Sequence, residues 1–174
     1  MNDRDQHDLY RQAEQFAPAI ARLARAMERD ADRARDLEQD IHCELFRSFA
    51  RFDGRCALKT WVYRVAHNVA ADHRLRESRQ AAVMPLDAMD ELASGEDAEA
   101  ASAEALTVER AHTLIRSLPT LDAQIMLLWL EGESAKDTAE ITGLSPGSVA
   151  TRIHRIKHAI ASQFEPEHMQ ETQR

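Results

Sequence analysis

Cysteine is nearly missing from this chain, and so are the residues that bend a backbone sharply. Cys43 and Cys56 are the two cysteines among 174 residues, and they lack the CxxC spacing of a redox or zinc motif. They exclude a disulfide scaffold and read as reduced thiols of a cytoplasmic protein. Five glycines and five prolines leave few of the breaks that a many-stranded sheet needs. Abundant Ala, Arg, Glu and Leu favour helices instead. No apolar run approaches the ~20 residues of a membrane-spanning helix, so membrane insertion is not expected. The stretch MNDRDQHDLYRQAEQF at the N-terminus is charged from Asp3 onward and does not read as a signal peptide. A hydrophobic content of 44% suffices for packed cores and excludes wholesale disorder.

Basic charge is also short, but only in one place. The formal net charge of −8 comes from 22 Lys+Arg against 30 Asp+Glu. Residues 1–79 hold 15 basic and 14 acidic side chains, and residues 110–174 hold 7 and 8. Between them, QAAVMPLDAMDELASGEDAEAASAEALTVE (80–109) carries 8 acids and no Lys or Arg. That composition, rich in Ala, Ser and acids, predicts a flexible acidic linker with at most a short helical stretch. The expected architecture is therefore all-α: two small helical domains, 8–79 and 110–165, joined by the linker 80–109.

In the first domain Phe16, Ile20, Leu23, Ala24 and Met27 recur at helical spacing, with a helix start expected near Pro18. Leu37, Ile41, Leu45 and Phe49 fall at i+4 steps and predict a second helix. Its other face shows Asp36, Gln39 and Asp40, either an ordinary solvated face or a docking surface for a basic partner. After the turn signal Asp53-Gly54, ALKTWVYRVAHNVAADHRLR (57–76) predicts a basic helix with Leu58, Val62, Val65 or Ala66, and Val69 inward. Trp61, Tyr63 and Asn68 are interleaved with its cations. Cations offset phosphate charge, aromatic faces stack on unpaired bases, and an amide reads a base edge. Trp61, one turn from Val65, is equally a core candidate.

In the second domain Leu114, Ile115, Leu118, Leu121, Ile125, Leu128 and Trp129 form apolar helix faces interrupted at SLPTLD. The segment EGESAKDTAEITGLSPGSVATRIHRIKHAIASQF then gives helix, turn at Thr142-Gly143, and helix. Ser145 is the N-cap and Pro146 the first helical residue. Val149, Ile153, Ile156 and Ile160 make the inward stripe. Ser148, Ala150, Thr151, Arg152, His154 and Arg155 are left outward, as in a recognition helix, although two packed helices with a glycine turn can also be merely structural. His154 and His158 have a metal-compatible i,i+4 spacing but no third ligand nearby, so no metal or other cofactor is expected. The His and Cys residues form no nucleophile–base pair, so no catalysis is expected either.

Together, DLEQDIHCELFRSFARFDGRCALKTWVYRVAHNVAADH (36–73) and EGESAKDTAEITGLSPGSVATRIHRIK (131–157) resemble the two motifs of the extracytoplasmic-function (ECF) sigma factors of bacterial RNA polymerase. The resemblance implies a sigma factor that directs core RNA polymerase to promoter DNA, with Asp36, Gln39 and Asp40 on the polymerase clamp. It implies that Phe52, the loop 53–57 and Asn68 capture a flipped base of the −10 element. Lys59, Trp61, Tyr63 and Arg64 match the strand-opening helix, and Arg74 and Arg76 would meet adjoining phosphates. Ser148, Thr151, Arg152, His154 and Arg155 match the helix that enters the −35 major groove, and Ala150 stands where many relatives place Lys or Arg. An anti-sigma factor is a further implied partner. The alternative reading is a stand-alone helix-turn-helix regulator that binds duplex DNA without polymerase.

Overall fold

Pro18 lacks an amide proton, so a helix can hold it only in its first turn, and that is where it sits. In the computed structural model, which describes residues 3–83 and 103–164, helix α1 (Asp3–Ala13) passes through a 3-10 turn, Glu14–Phe16, into α2 (Ala17–Met27). Asp30 then caps α3 (Ala31–Ser48), its carboxylate accepting from the N–H groups of Asp32 and Arg33 at 3.0 and 2.9 Å. The i+4 row of α3 points inward, with Leu37, Ile41 and Leu45 fully buried. Phe49 is buried too, but it lies in the 3-10 turn Phe49–Arg51 rather than in the helix. Gly54 turns the chain at φ 75°, and Asp53 accepts from the Arg55 N–H at 3.1 Å. Helix α4 (Leu58–Val83) follows. It packs Val62, Ala66 and Ala70 against α2 and α3, with Leu58, Val65 and Val69 partly buried.

The second domain is four helices: α5 (Ala103–Ser117), α6 (Thr120–Leu130), α7 (Ala135–Thr142) and α8 (Pro146–Phe164). Helices therefore occupy 80–83 and 103–109 at the two ends of the segment expected as linker, whose residues 84–102 lie outside the described residues, as does the tail 165–174. Ser134 caps α7 by accepting from Asp137 N–H at 3.1 Å, and its hydroxyl donates back to the Asp137 carboxylate at 2.6 Å. Gly143 closes α7 in the left-handed region at φ 76°, where a side chain would be strained. Ser145 accepts from Ser148 N–H at the start of α8.

Helix α6 is buried from Asp122 through Leu128 without a break. One side belongs to the helix-turn-helix core of Ile125, Ala139 and Val149. The other side, with Ala123, Leu127 and Leu128, joins Ile115 and Ile141 in the same apolar cluster as Leu23, Ala24, Tyr63, Ala66 and Ala70 of the first domain. The two domains thus share a core. Polar bonds fix its register. Gln124 donates to the carbonyl of His67 at 2.7 Å in the interior, and the Arg22 guanidinium grips the Glu131 carboxylate with two 2.7 Å bonds. Arg22 is more than half exposed, so that pair contributes about 1 kcal/mol or less. Each buried leucine side chain contributes roughly 1.5–3 kcal/mol, so apolar burial holds the domains together and the charges orient them.

His67 lies wholly inside this junction, and burial pushes its imidazole down to about 4. Above pH ~6.5, the ordinary histidine value, it is neutral folded or unfolded and costs nothing. As pH falls below that value the unfolded chain takes up a proton that the folded chain refuses, so stability is lost between pH 6.5 and 4. Urea denaturation is expected to show the wild type losing about 2 kcal/mol more than His67→Leu between pH 7 and pH 5. Equal losses in the two proteins would refute it.

Candidate nucleic-acid and polymerase-binding surfaces

The amphipathic spacing of α3 that buries Leu37, Ile41 and Leu45 necessarily turns Asp36, Gln39 and Asp40 to solvent, and all three are exposed. Asp40 borders a groove of about 830 Å³ between α3 and α4, whose far wall carries Trp61, Arg64, Asn68 and Arg76. Asp40 of the α3 face and much of the expected −10 set therefore share one concavity, with Asp36 and Gln39 outside its lining. Arg47, Arg51, Leu75 and Arg79 also line it. These were not singled out from the sequence, although Arg51 and Arg79 flank the basic stretch 57–76 that was.

The aromatics divide. Trp61 is half-buried: its indole N–H donates to Ser48 Oγ at 2.9 Å, and its ring meets Phe52 edge-on at 5.4 Å between centroids. Ser48 in turn donates to the Leu45 carbonyl at 2.8 Å. The structure places Tyr63 inside the core rather than on the groove. It is 8% exposed and packs edge-on against Phe16, and burial pushes its phenol up to about 12. The reason is helical phase: Tyr63 falls on the side of Ala66, Ala70 and the second domain, and Trp61, Arg64, Asn68 and Arg76 on the other.

The cations divide as well. Arg76 is exposed on α4, but Lys59 pairs with the buried Glu133 carboxylate at 2.8 Å. Arg64 donates to the Glu140 carbonyl at 2.7 Å, and Arg74 to the carbonyls of Arg116 and Leu118 at 3.0 and 3.1 Å. On α8, Ser148, Thr151, His154 and Arg155 are exposed along one side, with Val149 and Ile156 buried on the other. Arg152 is half-buried and bonded to Asp122 at 2.6 Å, and Arg155 approaches the same carboxylate at 3.6 Å. Sequence reasoning missed Asp122. Its place in the first turn of α6 was readable, but its contact with residues thirty positions away was not.

Among the described residues, Glu28, His73 and Glu77 form a group of three with metal-ligand chemistry. A guanidinium already balances it: Arg33 contacts Glu77 and lies 3.6 Å from Glu28, which is 3.0 Å from His73. Burial pushes the Glu28 carboxyl up, but the bonds from His73 and the Asp30 N–H, with Arg33 nearby, outweigh it and hold it below its ordinary value. This is an ion-pair knot tying α2, α3 and α4. Both thiols are free, and among the described residues no helix is long and apolar enough to cross a membrane.

Comparison with known proteins resolves what these surfaces belong to. The chain matches Sigma-70 region 2 over residues 13–80 and Sigma-70, region 4 over residues 109–160. It is 31% identical to the RNA polymerase sigma-H factor of Pseudomonas aeruginosa over 79% of this chain and 76% of that one. The chain belongs to the extracytoplasmic-function sigma factors. Other similar members are the ECF sigma factor SigM of Mycobacterium tuberculosis (30% identical, 82% of this chain and 69% of that one) and the sigma-E factor of Haemophilus influenzae (31%, 75% and 74%). Two solved structures share the fold. CnrH in complex with the cytosolic domain of CnrY gives a TM-score of 0.67 at 18% identity, covering 93% of this chain and 90% of that one. RpoE with the anti-sigma factor NepR from Bartonella quintana gives 0.69 at 19%, covering 92% and 98%. Sigma factors are DNA-binding transcription initiation factors, and in this one most of α4 lies within the region 2 match and most of α8 within the region 4 match.

Because Asp122 occupies Arg152 and approaches Arg155, Asp122→Asn should free positive charge on α8. Its affinity for nonspecific duplex DNA should rise, and the slope of log K against log salt should steepen by about one. Fluorescence anisotropy across a salt series, with thermal melting as a check on folding, measures both. An unchanged slope would show that Asp122 does not restrain these arginines.

Proposed function

We propose that this sigma factor docks on core RNA polymerase through Asp36, Gln39 and Asp40 and reads a two-part promoter with its two domains, taken as 8–79 and 110–165. The observation that carries the reading is the shared groove. Asp40, at one end of the exposed α3 face, borders the same concavity as Trp61, Asn68, Arg64 and Arg76, so a protein partner on that face and an unpaired strand in the groove can be held side by side. Phe52, the loop 53–57 and Asn68 capture a flipped −10 base, and Trp61 supplies a stacking face worth about 1–3 kcal/mol per base. Lys59, Arg64, Arg74 and Arg76 offset the phosphate charge of the opened strand, while Tyr63 acts from inside by positioning α4. Ser148, Thr151, Arg152, His154 and Arg155 enter the −35 major groove from the start of α8.

The sigma factor performs no covalent chemistry; it positions DNA for the polymerase, in the cytoplasm where that enzyme works. The acidic stretch 80–109 accompanies the polymerase's nucleic-acid channels, where like charge discourages stray RNA. Both solved neighbours are complexes, and in one of them RpoE is bound to the anti-sigma factor NepR. That supports an anti-sigma factor as the inhibitor of this chain as well.

Run-off transcription with purified core enzyme on selected promoters is expected to depend on this protein. Asp36→Lys with Asp40→Lys should abolish co-elution with core polymerase and at least ~90% of the transcript while leaving helical circular dichroism intact, since charge reversal at a complementary interface costs several kcal/mol. Retained co-elution would remove these residues from the docking surface. Tight, sequence-specific duplex binding without polymerase would favour a stand-alone regulator instead.

A further inference from the structure

The ion-pair knot of Glu28, His73 and Glu77 turns three ligand atoms toward one point. Glu28 ends α2 in extended backbone, and its N–H is held by the Ala24 carbonyl at 2.9 Å. Its carboxylate is oriented as well. Oε1 accepts from the Asp30 N–H at 2.9 Å, which leaves Oε2 for His73, 3.0 Å from Nε2. His73 and Glu77 stand one turn apart on α4, the i,i+4 spacing that puts two ligands on one helix face. Glu77 Oε1 lies 3.9 Å from the same Nε2, and the three donor atoms all fall within 4.8 Å of one another.

These separations suit a metal ion. Bonds of about 2.0–2.2 Å in a tetrahedral shell set neighbouring donors about 3.3–3.6 Å apart, and the observed 3.0 and 3.9 Å fall on either side. A small rotation of Glu77, the most exposed of the three, closes the triangle. The charge suits one too. A single guanidinium, that of Arg33, stands against two carboxylates. While His73 is neutral the group keeps one negative charge in excess, although Glu28 is only 5% exposed. A divalent ion removes that excess, and Arg33 alone does not. Arg33 is 49% exposed, so its long side chain can swing into water as an ion arrives.

We propose that this knot is a binding site for one divalent transition ion of the zinc class, held by Glu28 Oε2, His73 Nε2 and Glu77 Oε1, and that Arg33 is the cation it displaces. His73 then carries its hydrogen on Nδ1 and offers the Nε2 lone pair to the ion. The imidazole selects against Mg²⁺ and Ca²⁺, which take oxygen ligands. Water completes the shell on the exposed side. All four residues belong to the first domain, so the ion clamps the end of α2 to α4 beside Arg74 and Arg76. The sequence expectation of no metal rested on spacing within α8, whereas Glu28 lies 45 positions before His73, beyond the reach of a spacing rule.

The site stands apart from the promoter reading, and its test needs neither DNA nor polymerase. Isothermal titration of ZnCl₂ into the full chain, in a Cys43→Ser, Cys56→Ser background that removes competing thiolates, should reveal a single site that excess Mg²⁺ does not block. His73→Ala and Glu77→Gln should each weaken it at least ~10-fold, the lower end of what even a residue one bond removed from a metal costs. Circular dichroism checks that each variant is folded, and Glu77→Gln changes only the exposed end of the group. Arg33→Ala carries the sharper expectation. With its competitor gone, Zn²⁺ should bind at least ~5-fold more tightly. Saturating Zn²⁺ should also raise the melting midpoint of the unaltered site and leave that of Glu77→Gln unmoved. Absence of binding overturns the proposal, as does binding that survives both His73→Ala and Glu77→Gln, which marks an adventitious ion only. Affinity that is unchanged or lower in Arg33→Ala overturns it equally, since the guanidinium is then no competitor.

Discussion

A helix that is buried at seven successive positions has no solvent side, and α6 is such a helix from Asp122 to Leu128. An amphipathic helix of a small domain normally keeps a polar stripe in water. Here one half of the surface completes the helix-turn-helix core and the other completes the core of the first domain. The rest of the structure depends on this double duty. Because Leu127 and Leu128 cover Tyr63, Ala66 and Ala70, α4 is held at a fixed phase. That phase decides which of its side chains face the groove and which face the second domain. Because Ile125 anchors Val149, the same helix orients α8.

Electrostatics then divides the labour. The excess of acid lies between the domains, and each domain is close to neutral. Neither domain carries the large positive field that would hold duplex DNA by phosphate attraction alone. Several of the cations are paired within the chain, Arg152 with Asp122 and Lys59 with Glu133. Such a protein suits work inside a larger assembly that supplies most of the charge itself.

How much of this was legible in the sequence follows from the range of the interactions. The Leu37–Ile41–Leu45 row, the Asp53-Gly54 turn and the Gly143–Ser145 helix boundary were readable because periodicity and capping are local. The exposed acidic face of α3 followed from the same row, being its complement. What could not be read depends on contacts between distant segments. Arg22 meets Glu131 across 109 positions and Arg64 meets Glu140 across 76. The all-round burial of α6 has the same origin, since its apolar residues fit an amphipathic helix equally well until a second covering surface exists. Tyr63 looked like a neighbour of Trp61 in a basic stretch, yet two residues of helix turn it by about 200°, from the groove into the core.

The hydroxyl of Ser48 sets the tilt of Trp61. It receives the indole N–H and passes its own hydrogen to the Leu45 carbonyl, with Phe52 set edge-on against the ring. An indole tethered this way cannot swivel outward without stranding polar atoms that water reaches poorly. Any nucleobase arriving at this ring meets a wall of settled tilt. The adjustment, and the loss of freedom that goes with it, must then fall on the nucleic acid.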